Sequence, residues 1–250
     1  EGVDGITVGD RVAYAQPNGA YATHRVIAAA MVVRVPDAIA SDVAAAVMLK
    51  GLTVAYLVNR SYQVKPGNVV LFHAAAGGVG LLAGQWLKSL GAKVIGTAGG
   101  AEKCALAAAN GYDYVIDYQT QDFAAEIDRI TDGVGVDVVY DSVGNETMAK
   151  SLIVARRHGT VVNFGQSSGP YTDFQIKDLA IGSLYLTRPT LFHFTAERAW
   201  LEAASADMFD RIANGGLSVA INQHVPLDDV ANAHRALAGR QTTGCTVLNV

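Results

Sequence analysis

The stretch best suited to chemistry is His73-Ala74-Ala75-Ala76-Gly77-Gly78-Val79-Gly80. It directly follows Asn68-Val69-Val70-Leu71-Phe72, a short run patterned as a strand buried on both faces of a parallel sheet. With Ala75 where a first glycine is usual, the stretch fits the A/G-x-G-x-x-G pattern of a dinucleotide-binding turn. Gly77 and Gly78 let the backbone approach a pyrophosphate, because no side chain intervenes. A helix beginning near Val79 offers unpaired N–H groups and the positive end of its dipole, and Gly80 lets that helix pack close to the strand. The plain alternative is a tight turn that binds nothing. The strand before it, the helix after it and the repeats that follow weigh against that reading.

The next strand bears on which dinucleotide is bound. An NAD site expects Asp or Glu about 20 residues past the glycines, holding the ribose 2′-hydroxyl. Here Lys93-Val94-Ile95 runs into Gly96-Thr97-Ala98-Gly99-Gly100. That strand carries no acid, its small residues leave room for a 2′-phosphate, and Lys103 follows as a cation. Taken alone, Lys103 reads as a solvated surface lysine; the missing carboxylate turns the reading toward NADPH.

Other patterns carry less. Gly165-Gln166-Ser167-Ser168-Gly169 satisfies G-x-S-x-G, but a nucleophile elbow needs a strand-to-helix turn, and Pro170-Tyr171-Thr172 comes next. In a dinucleotide site the same serines lie at the C-terminal edge of the sheet, where such folds bind ligands. None of the ten tyrosines has a lysine four residues later, which disfavours a Tyr-x-x-x-Lys acid-base pair. The six histidines show no H-x-x-x-H or H-E-x-x-H spacing, and Cys104 and Cys245 offer neither a disulfide framework nor a metal-ligand pattern. No metal site is expected.

Strand and helix signals alternate around the glycine turn. Strands are expected at 68–72, 93–97, 114–117, 136–140, 160–164 and 183–187, with helices near 79–90, 102–109, 122–130 and 146–155. This is an α/β fold, a doubly wound parallel-sheet Rossmann domain placed at 50–190. Before it, 9–14 and 20–27 read as short strands around Pro17-Asn18-Gly19, and 41–59 as a helix with Ser41 as N-cap. After Pro189 come a helix at 195–214, a strand-like 219–227, a helix from near Asp228 and a final strand at 245–250. With 50% hydrophobic residues the chain can bury sizeable cores. Its net charge of -4, with signs interspersed, gives no nucleic-acid surface. The apolar stretch 43–58 is interrupted by Lys50 and falls short of the roughly 20 residues that span a bilayer, so no membrane partner is expected. The low cysteine content is consistent with a reducing cytoplasm. The chain opens on Glu1 in a turn-rich phrase, and an upstream piece is expected.

The sequences EGVDGITVGDRVAY, AAAVMLKGLTVAYL, LFHAAAGGVGLLAGQWLKSLGAKVIGT, DVVYDSVG, VVNFGQSSG, GSLYLTRP and GRQTTG resemble those of the zinc-free quinone oxidoreductases. These are the zeta-crystallin-like group of the medium-chain dehydrogenase/reductase superfamily, and bacterial members are the most similar. The resemblance implies that 1–49 and 191–250 are part of a GroES-like β-rich substrate domain, with about 70 or more N-terminal residues missing. It also implies that zinc is absent. The chain passes from GDRVAY through QPNG to AYATHRV with no four-cysteine lobe, and Lys50 stands where zinc relatives carry a ligand cysteine.

Carried over residue by residue, the resemblance places Thr53 near the nicotinamide and Ala76, Gly77, Gly78 and Val79 around the pyrophosphate. It places Gly99, Lys103 and Tyr118 at the 2′-phosphate, and Ser142 and Val143 by the adenine ribose. Phe164, Ser167 and Ser168 flank the nicotinamide half, and Arg240 reaches the cofactor from the return segment. Tyr118 reads equally as a partly buried loop aromatic, and Arg240 as a surface charge. The implied activity is hydride transfer from NADPH to a quinone or enone, with no catalytic acid assigned. The implied assembly is a homodimer pairing through 184–187. A 2-alkenal or enoyl reductase and a non-catalytic, crystallin-like NADPH-binding protein stay open as alternatives.

Overall fold

The computed structural model describes residues 3, 5–16, 18–239 and 241–250. Two compact units make up the chain: one takes residues up to Ala55 together with Leu191–Val250, and the other takes Tyr56–Thr190.

In the first unit, β1 (Val12–Ala13) pairs antiparallel with β2 (Val33–Arg34). The strand expected at 20–27 does not form; these residues are bends and irregular backbone. A strand needs a neighbour to complete its ladder as well as an alternating pattern, and here Tyr21 and Val26 are left exposed. The turn expected at Pro17-Asn18-Gly19 includes Pro17, which lies outside the described residues. Helix α1 (Ser41–Tyr56) takes Ser41 as its first residue rather than as its cap, and it passes through the expected 49/50 division without a break. The units part after Ala55.

A π-helical turn, Leu57–Ser61, continues the rod, and the Tyr140 hydroxyl donates to the Leu57 carbonyl at 3.1 Å. The combined helix of 21 residues is long and apolar enough to cross a membrane by length and composition. With 67% of its apolar window buried inside the protein, it has the pattern of a core helix. Lys50 does not interrupt it, since a lysine can bury its methylene stem and keep its ammonium at the surface.

The second unit is a six-stranded parallel sheet in the order β5-β4-β3-β6-β7-β8. Its elements alternate: β3 (Val69–Phe72), α2 (Gly78–Ser89), β4 (Lys93–Ala98), α3 (Ala101–Ala108), β5 (Tyr114–Asp117), α4 (Phe123–Ile130), β6 (Val136–Asp141), α5 (Met148–Val154), β7 (Ala155–Asn163) and β8 (Tyr185–Thr187). β8 starts two residues after the expected Ser183, whose backbone is left-handed at φ 50° and so cannot belong to a strand. α4 is capped by Asp122, whose carboxylate accepts from the Ala124 amide at 2.9 Å.

Strand side chains alternate between faces. Leu71, Ile95, Val139 and Val161 bury one face against Phe123 and Ile127 of α4 and Met148 and Leu152 of α5. Gly96, next to Ile95, faces the other way onto the Tyr112 ring, which also covers Gly84 of α2. Helices therefore pack on both faces, and the strand C-termini are left as a common rim.

The first unit resumes with α6 (Leu191–Thr195), α7 (Arg198–Ala213), β9 (Ile221–Pro226), α8 (Val230–Ala238) and β10 (Cys245–Asn249). The helix expected at 195–214 is α7, and the short α6 precedes it. β9 and β10 pair in parallel, and Gly51 of α1 makes room for the Met208 side chain of α7.

Gly84 is tightly bounded, because a Cβ there would run into the Asn110 carbonyl and the buried Tyr112 ring. Gly84→Ala is expected to destabilise the protein by about 2 kcal/mol, overpacking outweighing the better helix propensity of alanine. A lowered urea midpoint at unchanged slope is the measurement; an unchanged or raised midpoint would contradict the packing described.

Candidate functional site

The site begins where β3 ends. The His73 amide donates to the Tyr140 carbonyl at 3.0 Å and the Ala75 amide to the Thr97 carbonyl at 2.9 Å, so the chain stays tied to β6 and then to β4 after leaving the strand. Ala74 then turns with left-handed backbone, φ 55°. Gly77 donates back to the Ala74 carbonyl at 2.9 Å and opens α2 from an extended conformation. Gly77 has no side chain to cap the helix, and no acid stands in the first turn. The leading amides, which have no helical acceptor, are left with the positive end of the dipole. A Cβ on Gly80 would lie 2.5 Å from the carbonyl oxygens of both Ala74 and Ala75, so the helix can start this close to the turn only on glycine. Ala75 takes the place of a first glycine because Gly96 makes room for it: its methyl carbon sits 2.7 Å from where a Gly96 Cβ would be.

On the neighbouring rim, Tyr118 lies over Gly99, its hydroxyl oxygen 2.6 Å from where a Cβ would stand. The ring is half exposed. Lys103, in the first turn of α3, makes no hydrogen bond or ion pair among the described residues. β4 carries no acid, but β5, too far along the chain to fit the NAD spacing, ends in one. Asp117 Oδ1 accepts from the Gly100 amide at 2.9 Å and the Gln119 amide at 3.0 Å, which pins the Gly99-Gly100 turn beside Tyr118.

At the ends of β6 and β7, Ser142, Val143, Phe164, Ser167 and Ser168 come together through their backbones. The Phe164 amide donates to the Asp141 carbonyl at 2.8 Å, and the Ser167 amide to the Ser142 carbonyl at 3.1 Å. The Ser168 hydroxyl donates to the Val143 carbonyl at 2.8 Å and accepts from the Glu146 amide at 3.0 Å, so its one proton is already used within the protein. No helix follows Gly165–Gly169 directly, so the segment lacks the geometry of a nucleophile elbow. The Phe164 ring rests on Phe72, with centroids 5.6 Å apart.

Under this rim lies a polar chain that no sequence motif marks. His73, fully buried, has Nδ1 2.9 Å from Thr97 Oγ1 and Nε2 3.1 Å from Ser151 Oγ. Ser151 in turn donates to Asp141 Oδ2 at 2.8 Å. Asp141, also fully buried, accepts from the Val143 amide at 2.8 Å, the Gly144 amide at 3.0 Å and the Thr147 hydroxyl at 2.7 Å. Burial holds the His73 imidazole below its ordinary pKa, with the Asp141 carboxylate acting in the opposite direction. The available signal was a histidine closing an otherwise wholly apolar strand.

Thr53 belongs to the first unit, where it is buried in α1 and its hydroxyl donates to the Leu49 carbonyl at 2.7 Å. Arg240 lies outside the described residues. Among the described residues, no group of three or more His, Cys, Asp or Glu side chains is placed to hold a metal ion.

Residues 78–208 match the family model described as zinc-binding dehydrogenase. The chain is 46% identical over 243 residues to a quinone oxidoreductase of Pseudomonas aeruginosa, an overlap of 96% of this chain and 75% of that protein. It superposes with a TM-score of 0.96, at 45% identity, on the crystal structure of Escherichia coli quinone oxidoreductase complexed with NADPH, covering 100% of this chain and 78% of that one. A 2-haloacrylate reductase from a Burkholderia species is 42% identical over 252 residues, covering 99% of this chain and 76% of that protein.

The buried histidine has a consequence for stability. Its folded pKa lies below the ordinary 6.5, so as pH falls through 6.5 the unfolded chain takes up a proton that the folded chain refuses. Stability should be independent of this group above that pH and decline below it, by at most about 1.4 kcal/mol per pH unit. Asp113, whose carboxyl is held below its ordinary 3.8, acts only in a lower window. Urea midpoints of the wild type and His73→Gln between pH 8 and pH 5 test this. The acid-side slope should be smaller in the variant, and equal slopes would count against the buried neutral imidazole.

Proposed function

Because this chain belongs to the quinone oxidoreductase family of the medium-chain dehydrogenases/reductases, we propose that it is an NADPH-dependent, zinc-independent reductase of quinones. The observation that carries the reading is the start of α2, an uncapped and acid-free helix terminus set on a turn whose glycines leave the backbone open. That arrangement suits a diphosphate.

Ala76, Gly77, Gly78 and Val79 would hold the pyrophosphate. Lys103 and the Tyr118 hydroxyl, with Gly99 beneath the ring, would hold the 2′-phosphate; the Asp117 carboxylate is directed at backbone amides rather than left open to repel it. Ser142 and Val143 would line the adenine ribose, and Phe164, Ser167 and Ser168 the nicotinamide half, Ser168 as a brace for the turn rather than a free hydroxyl. Thr53 and Arg240 keep the roles that the family resemblance gives them. When bound, NADPH supplies a hydride from its nicotinamide C4 to the acceptor. The protein orients it and keeps the surrounding pocket dry.

Zinc independence is supported by Lys50, which occupies the position of a ligand cysteine in zinc relatives and cannot replace a thiolate while it carries a proton. The first unit is read as part of a GroES-like substrate domain. A homodimer would pair through β8, a sheet edge whose Tyr185 is exposed, since an open edge presents unpaired backbone groups. The second reading is reduction of an activated alkene, favoured by the 42% identity to 2-haloacrylate reductase.

Lys103→Ala should raise the KM for NADPH about tenfold, the loss of one charged phosphate contact, and change the KM for NADH less than about twofold. Steady-state rates with 1,2-naphthoquinone and with a 2-alkenal, at varied NADPH and NADH, measure this and rank the two acceptor classes. Equal losses for both cofactors would contradict the assignment of the 2′-phosphate site.

A further inference from the structure

The buried chain beneath the rim has a direction. The Asp141 carboxylate accepts only, so Ser151, with a single hydroxyl proton, must donate it there. Ser151 can then only accept from His73, which puts a proton on Nε2. In a neutral imidazole Nδ1 is left as an acceptor, and the Thr97 hydroxyl lies 2.9 Å away to donate to it. The order of donation is Thr97 to His73 to Ser151 to Asp141.

The ends of this chain matter more than its middle. His73 opens the turn that leads into the glycines. Asp141 fixes the Val143 and Gly144 amides of the turn after β6. Two loops from different strands are thereby held in one register by side chains with no exposed surface.

We propose that Ser151 and Asp141 are positioning residues for the nucleotide, joining through His73 the turn assigned to the pyrophosphate and the turn assigned to the adenine ribose. This rests on the NADPH reading above. None of the three side chains touches the ligand; they set the relative position of the two turns that line it. Breaking the chain at Ser151 leaves the Nε2 proton without a partner and Asp141 Oδ2 with Thr147 alone, and removes the side-chain link between two turns whose strands stay joined by the β3–β6 ladder.

The test is NADPH binding by fluorescence titration, together with long-range nitrogen–proton NMR of the His73 ring, in the wild type, Ser151→Ala, Ser151→Thr and Asp141→Asn. The wild type should show the Nε2–H tautomer. Ser151→Ala should raise the Kd for NADPH about tenfold, the effect of about 1.4 kcal/mol, and Ser151→Thr, which keeps the hydroxyl, should recover most of it. Asp141→Asn, checked for folding by circular dichroism, should weaken NADPH binding at least as much as Ser151→Ala, and unchanged affinity in the folded variant overturns the positioning role. If the wild type binds NADPH and Ser151→Ala binds it equally well, or if the ring carries its proton on Nδ1, the positioning role is overturned while the nucleotide site stands. If the wild type does not bind NADPH, both fall.

Discussion

The carbonyl oxygens of Ala74 and Ala75 come so near Gly80 that a single added carbon would collide with both. That approach brings α2 onto the end of β3 and aims its first amides over the rim. The same rule of missing carbons extends across the sheet, where Gly84 and Gly96 accept the two sides of the Tyr112 ring. The Tyr112 hydroxyl then donates to the Gly80 carbonyl at 2.7 Å, so the residue that fills the space also holds the helix that borders it. Burial pushes that phenol well above its ordinary pKa, which keeps it a proton donor at any physiological pH.

Apolar packing and polar bonding divide the work by depth. In mid-sheet, Leu71, Ile95, Val139 and Val161 are closed off from water and need no partner beyond the backbone ladder. At the strand ends the ladder stops and backbone groups lose their partners. Asp141 and Asp117 take over there, Asp141 accepting from two amides of the turn after its own strand and Asp117 from one amide of its own turn and one of the turn after β4. Two aspartates on different strands thus perform the same local task on either side of the glycine turn. A carboxylate does this more strongly than a neutral amide oxygen would, since its bonds to the amides are charge-assisted.

Much of the second unit is legible in the sequence, because buried parallel strands write themselves as unbroken apolar runs with helical segments alternating between them, one of which, α4, begins at a recognisable cap. The start of β8 was misjudged because nothing in the letter Ser183 announces a left-handed backbone. The first unit was harder to read. Alternation at 20–27 suggested a strand, but pairing is a property of two segments, and the partner of β1 proved to be the brief Val33–Arg34. At the site, the glycine turn and Lys103 were visible by type and spacing. Asp117 and the His73 chain were not, since their roles come from residues brought together by sheet order: β5 beside β4, and β3 between β4 and β6.

The accommodation between Ala75 and Gly96 bears on how such a sequence can drift over generations. Replacing Ala75 by glycine removes a methyl and disturbs nothing on β4. The reverse path is shut even after that change, because a Gly96 side chain would still meet the Tyr112 ring at 2.6 Å. Substitution at this pair is therefore one-sided: the turn can lose its methyl, while the strand opposite admits no side chain as long as Tyr112 fills the space.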